Sequence, residues 1–361
     1  MLTSLIALLS WLAVPVGLIA VLDDWFFRPR RQIAAAPQRA RDPAAVAIAY
    51  YALPVLIGAA VIRLLVAERL DFSLVLLLIA ASTGAVWLLD VAVFRRARAN
   101  AARAAGKDPQ AIPEPGTVDY ARSFFPVAVV VLVLRSFVFE PFRIPSDSMM
   151  PTLLDGDFII VSKFAYGLRL PVVNTEVVPM GEPQRGDVVV FRYPADPSVN
   201  YIKRLAGLPG DRVRVQNDHL IINGERVPAA DRGLYGDGCY EGMRLAAERL
   251  GQHEHVIMYC PTAGDIAVEP LASCNRSQVR SYVCVEPEFA GFPDRGDTAE
   301  IVVPPGHFLM IGDNRDNSQD GRYFGFVPQE NLVGKATRIW FNWDLQRSGG
   351  PIWSRIGMRI E

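Results

Sequence analysis

Three stretches near the start of the chain carry no charge. Leu2–Leu22 is 21 residues long, enough at about 1.5 Å per residue to cross the roughly 30 Å hydrocarbon core of a bilayer. Ala44–Ile62 and Phe72–Leu89 add runs of 19 and 18. A fourth apolar run, Ser123–Phe139, contains Arg135, whose long side chain can snorkel to an interface. No basic residue precedes Leu2, so the first run reads as a retained helix and not as a cleavable leader. Arg28, Arg30, Arg31, Arg39 and Arg41 follow it, and Arg95, Arg96, Arg98, Arg103 and Lys107 follow the third. Excess Lys and Arg mark cytoplasmic loops. The expected order is a span at 1–22, a basic cytoplasmic loop at 23–43, a helical hairpin at 44–66 and 72–94, a cytoplasmic linker at 95–121 and a last span at 122–139. Both ends of the chain are then external.

From Asp157 the period shortens to that of strands. Phe158–Val161, Val188–Arg192, Val199–Leu205, Glu300–Val303, His307–Ile311 and Ala336–Phe341 are β-branched or aromatic runs between Gly, Pro and Asp. His219–Ile222, then Asn223-Gly224, then Glu225–Val227 is a hairpin signal. A helix is expected near Glu241–Leu250. No internal repeat is evident. The fold class expected is therefore a set of N-terminal transmembrane helices followed by a mainly antiparallel β domain at 140–361.

Composition agrees with a chain divided in this way. It has 361 residues, 51% of them hydrophobic, and a mean hydropathy of +0.19. The net charge of −1, with no basic block interleaved with aromatics in the second half, gives nucleic acid no footing as a partner.

Two stretches carry candidate chemistry. In Ile144-Pro145-Ser146-Asp147-Ser148-Met149-Met150-Pro151 two serines sit two apart beside prolines that restrict the backbone. Serine is a weak nucleophile until a base takes its proton. Tyr201-Ile202-Lys203-Arg204 offers one, because an amine becomes a base when burial among apolar groups lowers its pKa. The chain has four histidines, none of them in these stretches, which argues against a Ser-His-Asp triad.

Four ordered segments resemble the motif boxes of bacterial type I signal peptidases. They are Ser148–Leu153, Arg185–Phe191, Tyr201–Arg204 with Gly207–Asp211, and Gly312-Asp313-Asn314-Arg315-Asp316-Asn317-Ser318. The resemblance covers about Arg135 to Asn342, apart from an insert at about 229–299. It implies that Ser148 is the acylating nucleophile and Lys203 the general base. It also implies an oxyanion hole from the Ser148 N–H and Ser146 Oγ, a lysine-orienting role for Ser318, and a supporting Asp320–Arg322 ion pair. Phe142, Ile144 and Ile202 match the substrate-pocket positions. Asp147 stands where the family often has glycine, and Gly321 where it often has serine. The family pattern has two spans, so the hairpin at 44–94 is an addition.

The resemblance further implies a membrane-bound endopeptidase that removes N-terminal signal peptides from exported preproteins, cutting after small residues at −1 and −3. Its partners would be those preproteins and the lipid bilayer, alongside the protein-export channel, with no cofactor and no metal. Its place would be the bacterial inner membrane, multi-pass, with the catalytic domain external. The alternatives are a specialised Ser/Lys peptidase of the same fold, such as a pilin processor, or an inactive homologue acting as a binding factor. The insert holds Cys239, Cys260, Cys274 and Cys284, for which three disulfide pairings are possible. It is expected to be a β-rich appendage away from the chemistry.

Overall fold

The four apolar runs form helices in the computed structural model, which describes residues 2–34, 43–66, 72–112, 114–170, 175–216, 219–236, 240–259, 299–343 and 350–361. The four cysteines lie outside the described residues. The chain divides into two units: Met1–Ser136 with Pro171–Asn174, and Phe137–Leu170 with Thr175–Glu361.

The first unit is helical. Its elements are α1 (Leu2–Leu22), α2 (Arg28–Ala34), α3 (Ala44–Val66), α4 (Phe72–Leu89), α5 (Arg95–Ala104) and α6 (Gly116–Val133). Helix α1 packs on α3, and α4 on α6. At the second contact a Cβ on Gly84 would lie 2.8 Å from the Phe125 ring, so glycine is what lets the ring approach. Among the described residues, Ser73–Ala104 and Gly116–Val138 are long and apolar enough to cross a membrane.

A repeat absent from the sequence reading emerges here. Helices α1 and α4 each run into a wide turn opened by an aspartate, Asp23–Phe27 and Asp90–Phe94, and then into an arginine-bearing helix. Arg31 grips Asp23 through two hydrogen bonds of 2.7 Å, and Arg98 grips Asp90 in the same bidentate way, each pair eight residues apart. The extra residue of a wide turn brings position i+8 round to the face that i+7 occupies in a regular helix. Trp25 and Phe94, one from each turn, stack at 4.5 Å. The added hairpin thus repeats the local design of the first span.

The second unit is built from antiparallel sheets. Strands β1 (Phe139–Arg143), β2 (Asp157–Ser162), β3 (Leu168–Arg169), β4 (Glu176–Val178) and β5 (Val188–Tyr193) come first. Next are β6 (Asp196–Gly207), β7 (Arg212–Gln216), β8 (His219–Ile222), β9 (Glu225–Arg226) and β10 (Ala229–Leu234). The last are β11 (Arg244–Leu250), β12 (His253–Tyr259), β13 (Ile301–Val302), β14 (His307–Ile311), β15 (Val327–Pro328) and β16 (Leu332–Asn342). A seven-stranded sheet runs β1-β2-β16-β5-β6-β14-β15. Smaller sheets are β13-β7-β8-β9, β10-β11-β12 and β3-β4.

Alternation along β5 shows why the large sheet holds. Val188 and Val190 pack to one face with Ile144, Met149, Ile159 and Ile202. Val189 and Phe191 pack to the other with Leu205, Phe308 and Met310. Successive side chains point to opposite faces, so a strand that is apolar at every position must be covered on both. The Asn223-Gly224 turn joins β8 to β9 as expected, with φ of 55° and 83°, the left-handed values a two-residue hairpin needs.

The helix expected near Glu241–Leu250 is a turn followed by β11. An isolated helix of about ten residues has little stability in water. As the middle strand of its sheet, β11 pairs with both β10 and β12 and buries Ala246, Ala247, Glu248 and Leu250. Pairing on both edges overrides the helix preference of Leu-Ala-Ala-Glu-Arg.

Candidate active site

Ser148 sits in the turns between β1 and β2, and Lys203 lies on β6, a central strand of the large sheet. The two prolines and a chain of backbone bonds hold the serine loop: Met150 N–H donates to Asp147 O and Leu153 N–H to Met149 O. Asn314 then fastens it from the Gly312–Ser318 stretch, donating its N–H to Ser148 O at 3.1 Å and its Nδ2 to Asp147 O at 3.1 Å. That approach depends on Gly312, where a Cβ would fall 2.1 Å from Ser318 Oγ and 2.6 Å from Ser148 O. Any side chain at 312 would force the two loops apart.

The result is a buried pair. Lys203 Nζ lies 2.7 Å from Ser148 Oγ and 2.9 Å from Ile202 O, with Ser148 and Lys203 8% and 4% exposed. The Tyr201 ring centroid is 5.5 Å from the same nitrogen. Burial pushes the amine down to about 8 from its usual 10.5, against the Asp320 and Asp313 carboxylates, which pull it up, while Arg322 lowers it. Ser146 Oγ is 3.4 Å from Ser148 Oγ on the exposed side of the loop.

The supporting residues fall into two ion pairs. Arg322 donates from Nε to Asp320 Oδ1 at 2.8 Å and from Nη2 to Oδ2 at 2.9 Å, and Gly312 N–H adds a bond to Asp320 Oδ2 at 2.8 Å. Ser318 Oγ is buried and makes no direct hydrogen bond to Lys203. The second hydrogen bond of Lys203 Nζ goes to the Ile202 carbonyl. The second pair, Arg204 with Asp313, was not singled out from sequence, although both residues lie in the quoted segments. Of the pocket positions, Ile144 and Ile202 are buried and Phe142 is half-buried, all in one cluster with Met149 and Leu153.

The insert is not remote. Its β12 reaches the site: Met258 N–H donates to Asp313 O, and Arg315 N–H donates to Met258 O at 2.7 Å. Tyr240 and Met258 bury against Met150. The physical reason is that β12 adds its edge to the Gly312–Ser318 stretch and pairs the Asp313 carbonyl and the Arg315 N–H. Nothing in the sequence marked Tyr240, because its partners lie 77 and 93 residues away.

A buried serine hydroxyl 2.7 Å from the amine of a buried lysine, on an antiparallel sheet, is an arrangement that fits a serine hydrolase. The family model described as signal peptidase, peptidase S26, matches residues 117–341. Signal peptidase I from Pseudomonas aeruginosa is 44% identical over 80% of this chain and 99% of its own. That from Pseudomonas fluorescens is 43% identical over 80% and 99%. One from Buchnera aphidicola is 36% identical over 65% and 78%. The chain belongs to the signal peptidase family, peptidase S26. It is a serine endopeptidase that removes signal peptides from preproteins.

Proposed function

We propose that Ser148 is the nucleophile and Lys203 the general base of this peptidase. The observation that carries it is the 2.7 Å contact between their side chains, both buried. A neutral amine has one lone pair, and with an N–H given to Ile202 O the lone pair is free to accept the Ser148 proton. Ser148 Oγ then bonds to the scissile carbonyl carbon as its proton passes to Nζ. The carbonyl oxygen becomes an oxyanion, held by the Ser148 N–H and Ser146 Oγ. As the C–N bond breaks, Nζ returns the proton to the leaving nitrogen, the new N-terminus of the mature protein. Water then gives a proton to the same amine and attacks the acyl carbon. As the bond from that carbon to Ser148 Oγ breaks, Nζ returns the proton to Oγ, and the signal peptide leaves with a carboxyl end that ionises.

The apolar cluster around Phe142, Ile144 and Ile202 supports a shallow floor that accepts only small residues at −1 and −3, rejecting larger ones by clash. The Asp320–Arg322 ion pair, with the Gly312 N–H on Asp320, holds the segment beside Ser148 and Lys203, where Ser318 would orient the lysine. The helical unit would anchor the protein in the inner membrane by several spans, with the catalytic unit external and near the export channel. The test of the whole reading is cleavage of a detergent-solubilised preprotein, with the new N-terminus read by mass spectrometry. Cleavage away from the signal-peptide junction overturns it.

Two results follow within this reading. Ser146→Ala should fold normally and lose roughly 10²–10³ in kcat, the usual effect of one missing oxyanion donor. Undiminished kcat would show that its hydroxyl has no such role. Reporter fusions at Asn100 should read cytoplasmic and at Asp157 external. A cytoplasmic reading at Asp157 would overturn the localisation.

A further inference from the structure

Asp147 lies between the two serines, one residue from each donor of the proposed oxyanion hole. A carboxylate there opposes the negative charge that develops on the substrate oxygen, and more strongly in a site of low dielectric. The chain carries this charge, and the structure shows where it goes. Tyr240 Oη donates to Asp147 Oδ2 at 2.8 Å and accepts from Asn317 Nδ2 at 3.1 Å. Tyr240 is 7% exposed, its ring among Met150, Met243 and Met258, and Met243 N–H to Tyr240 O closes the turn that carries it. The hydroxyl is therefore fixed from three sides: its own turn, the methionine cluster and Asn317. It comes from the insert, outside the four segments that resemble the family's motif boxes.

We propose that Tyr240 is a positioning residue for signal-peptide cleavage: its hydroxyl ties down the Asp147 carboxylate and keeps it out of the oxyanion site. The insert thereby completes the serine loop. This rests on the assignment of Ser148 and Ser146 above. A donor held by packing costs little to keep in place, and a phenol is a better partner for a carboxylate than exposed water when the acceptor is half-buried. The same hydroxyl links the Asp147 side chain to Asn317, as Asn314 links its backbone, and so adds a further tie between the serine loop and the Gly312–Ser318 stretch.

The test uses the full chain in detergent with a purified preprotein. Tyr240→Phe keeps the ring and its packing and removes only the hydroxyl. It should lower kcat about tenfold with KM within about twofold, a coupling of the size found between contacting residues. In an Asp147→Asn background, where no charge needs restraint, the same change should cost less than about twofold. Asp147→Glu, which carries its carboxylate past the hydroxyl, should lower kcat by a similar factor to Tyr240→Phe. Equal losses from Tyr240→Phe in both backgrounds would mean a merely structural contact and overturn the proposal, as would full kcat in both Tyr240→Phe and Asp147→Glu. Ser148→Ala is run alongside: activity in that variant overturns the underlying assignment, whatever Tyr240→Phe does.

Discussion

Lys203→Arg is expected to abolish cleavage, with kcat/KM reduced roughly 10³-fold or more, the scale lost when a general base is removed from a serine hydrolase. The substitution keeps the positive charge and most of the side-chain length. A lysine that served only as a buried cation, balanced by Asp320 and Asp313, would tolerate it. A base would not, because guanidinium keeps its proton at any working pH. The wild-type pH profile gives the sign independently. Lys203 is protonated and inactive below its folded pKa and neutral above it, and burial sets that pKa at about 8. So kcat/KM should rise with pH and level off above about 8. The Arg variant's residual rate should show no rise there. Initial rates and a profile of kcat/KM on purified enzyme decide the matter. An Arg variant that keeps a tenth of the wild-type rate, or a wild-type rate that falls through this range, removes Lys203 from the role.

What could be read from sequence follows from how locally each feature is encoded. The β8–β9 hairpin was legible because Asn223-Gly224 carries its own geometry. Ser148 and Lys203 were legible because each sits in a short segment of distinctive composition, though 55 residues separate them and only the fold brings them together. Arg244–Leu250 was misread because its residues prefer helix, and the pairing that overrides them comes from two other strands. The Asp23–Arg31 and Asp90–Arg98 pairs were missed for a different reason. On a regular helix, residues eight apart point in different directions, and only the wide turn aligns them. Ser318 was placed near the lysine by resemblance, and its hydroxyl makes no hydrogen bond to Nζ, which bonds to Ser148 Oγ and Ile202 O. Tyr240 had no local signal at all. Its contact with Asp147 arises from the packing of the insert against the Gly312–Ser318 stretch.

Asp313→Asn should be the most destabilising single change near the site. Arg204 and Asp313 are 1% and 0% exposed. Arg204 donates from Nε at 2.8 Å and from Nη2 at 2.7 Å to the two carboxylate oxygens, and from Nη1 to Gly186 O at 2.8 Å. Thr152 Oγ1 adds a bond to Oδ2 at 2.6 Å, and His255 Nε2 lies 3.8 Å from Oδ1. Burial alone would push the Asp313 carboxyl up, but the Arg204 charge and its hydrogen bonds, with His255 and Thr152, hold it below the usual range. Removing the carboxylate leaves a guanidinium buried without its counter-charge, which costs about 3–5 kcal/mol. At roughly 2–4 °C per kcal/mol for a unit of this size, Tm should fall on the order of 10 °C. The double variant Arg204→Met with Asp313→Leu removes both charges and should recover most of that loss. The same substitution has an opposite-looking effect on chemistry. Asp313 raises the Lys203 pKa, so in Asp313→Asn the rise of kcat/KM should move to lower pH in whatever folded enzyme remains. Thermal unfolding of the three variants and a pH profile of Asp313→Asn test both halves. A wild-type Tm in the single variant would show that the pair carries no net stability, and an unmoved or upward-shifted profile would show that its charge is not felt at Lys203.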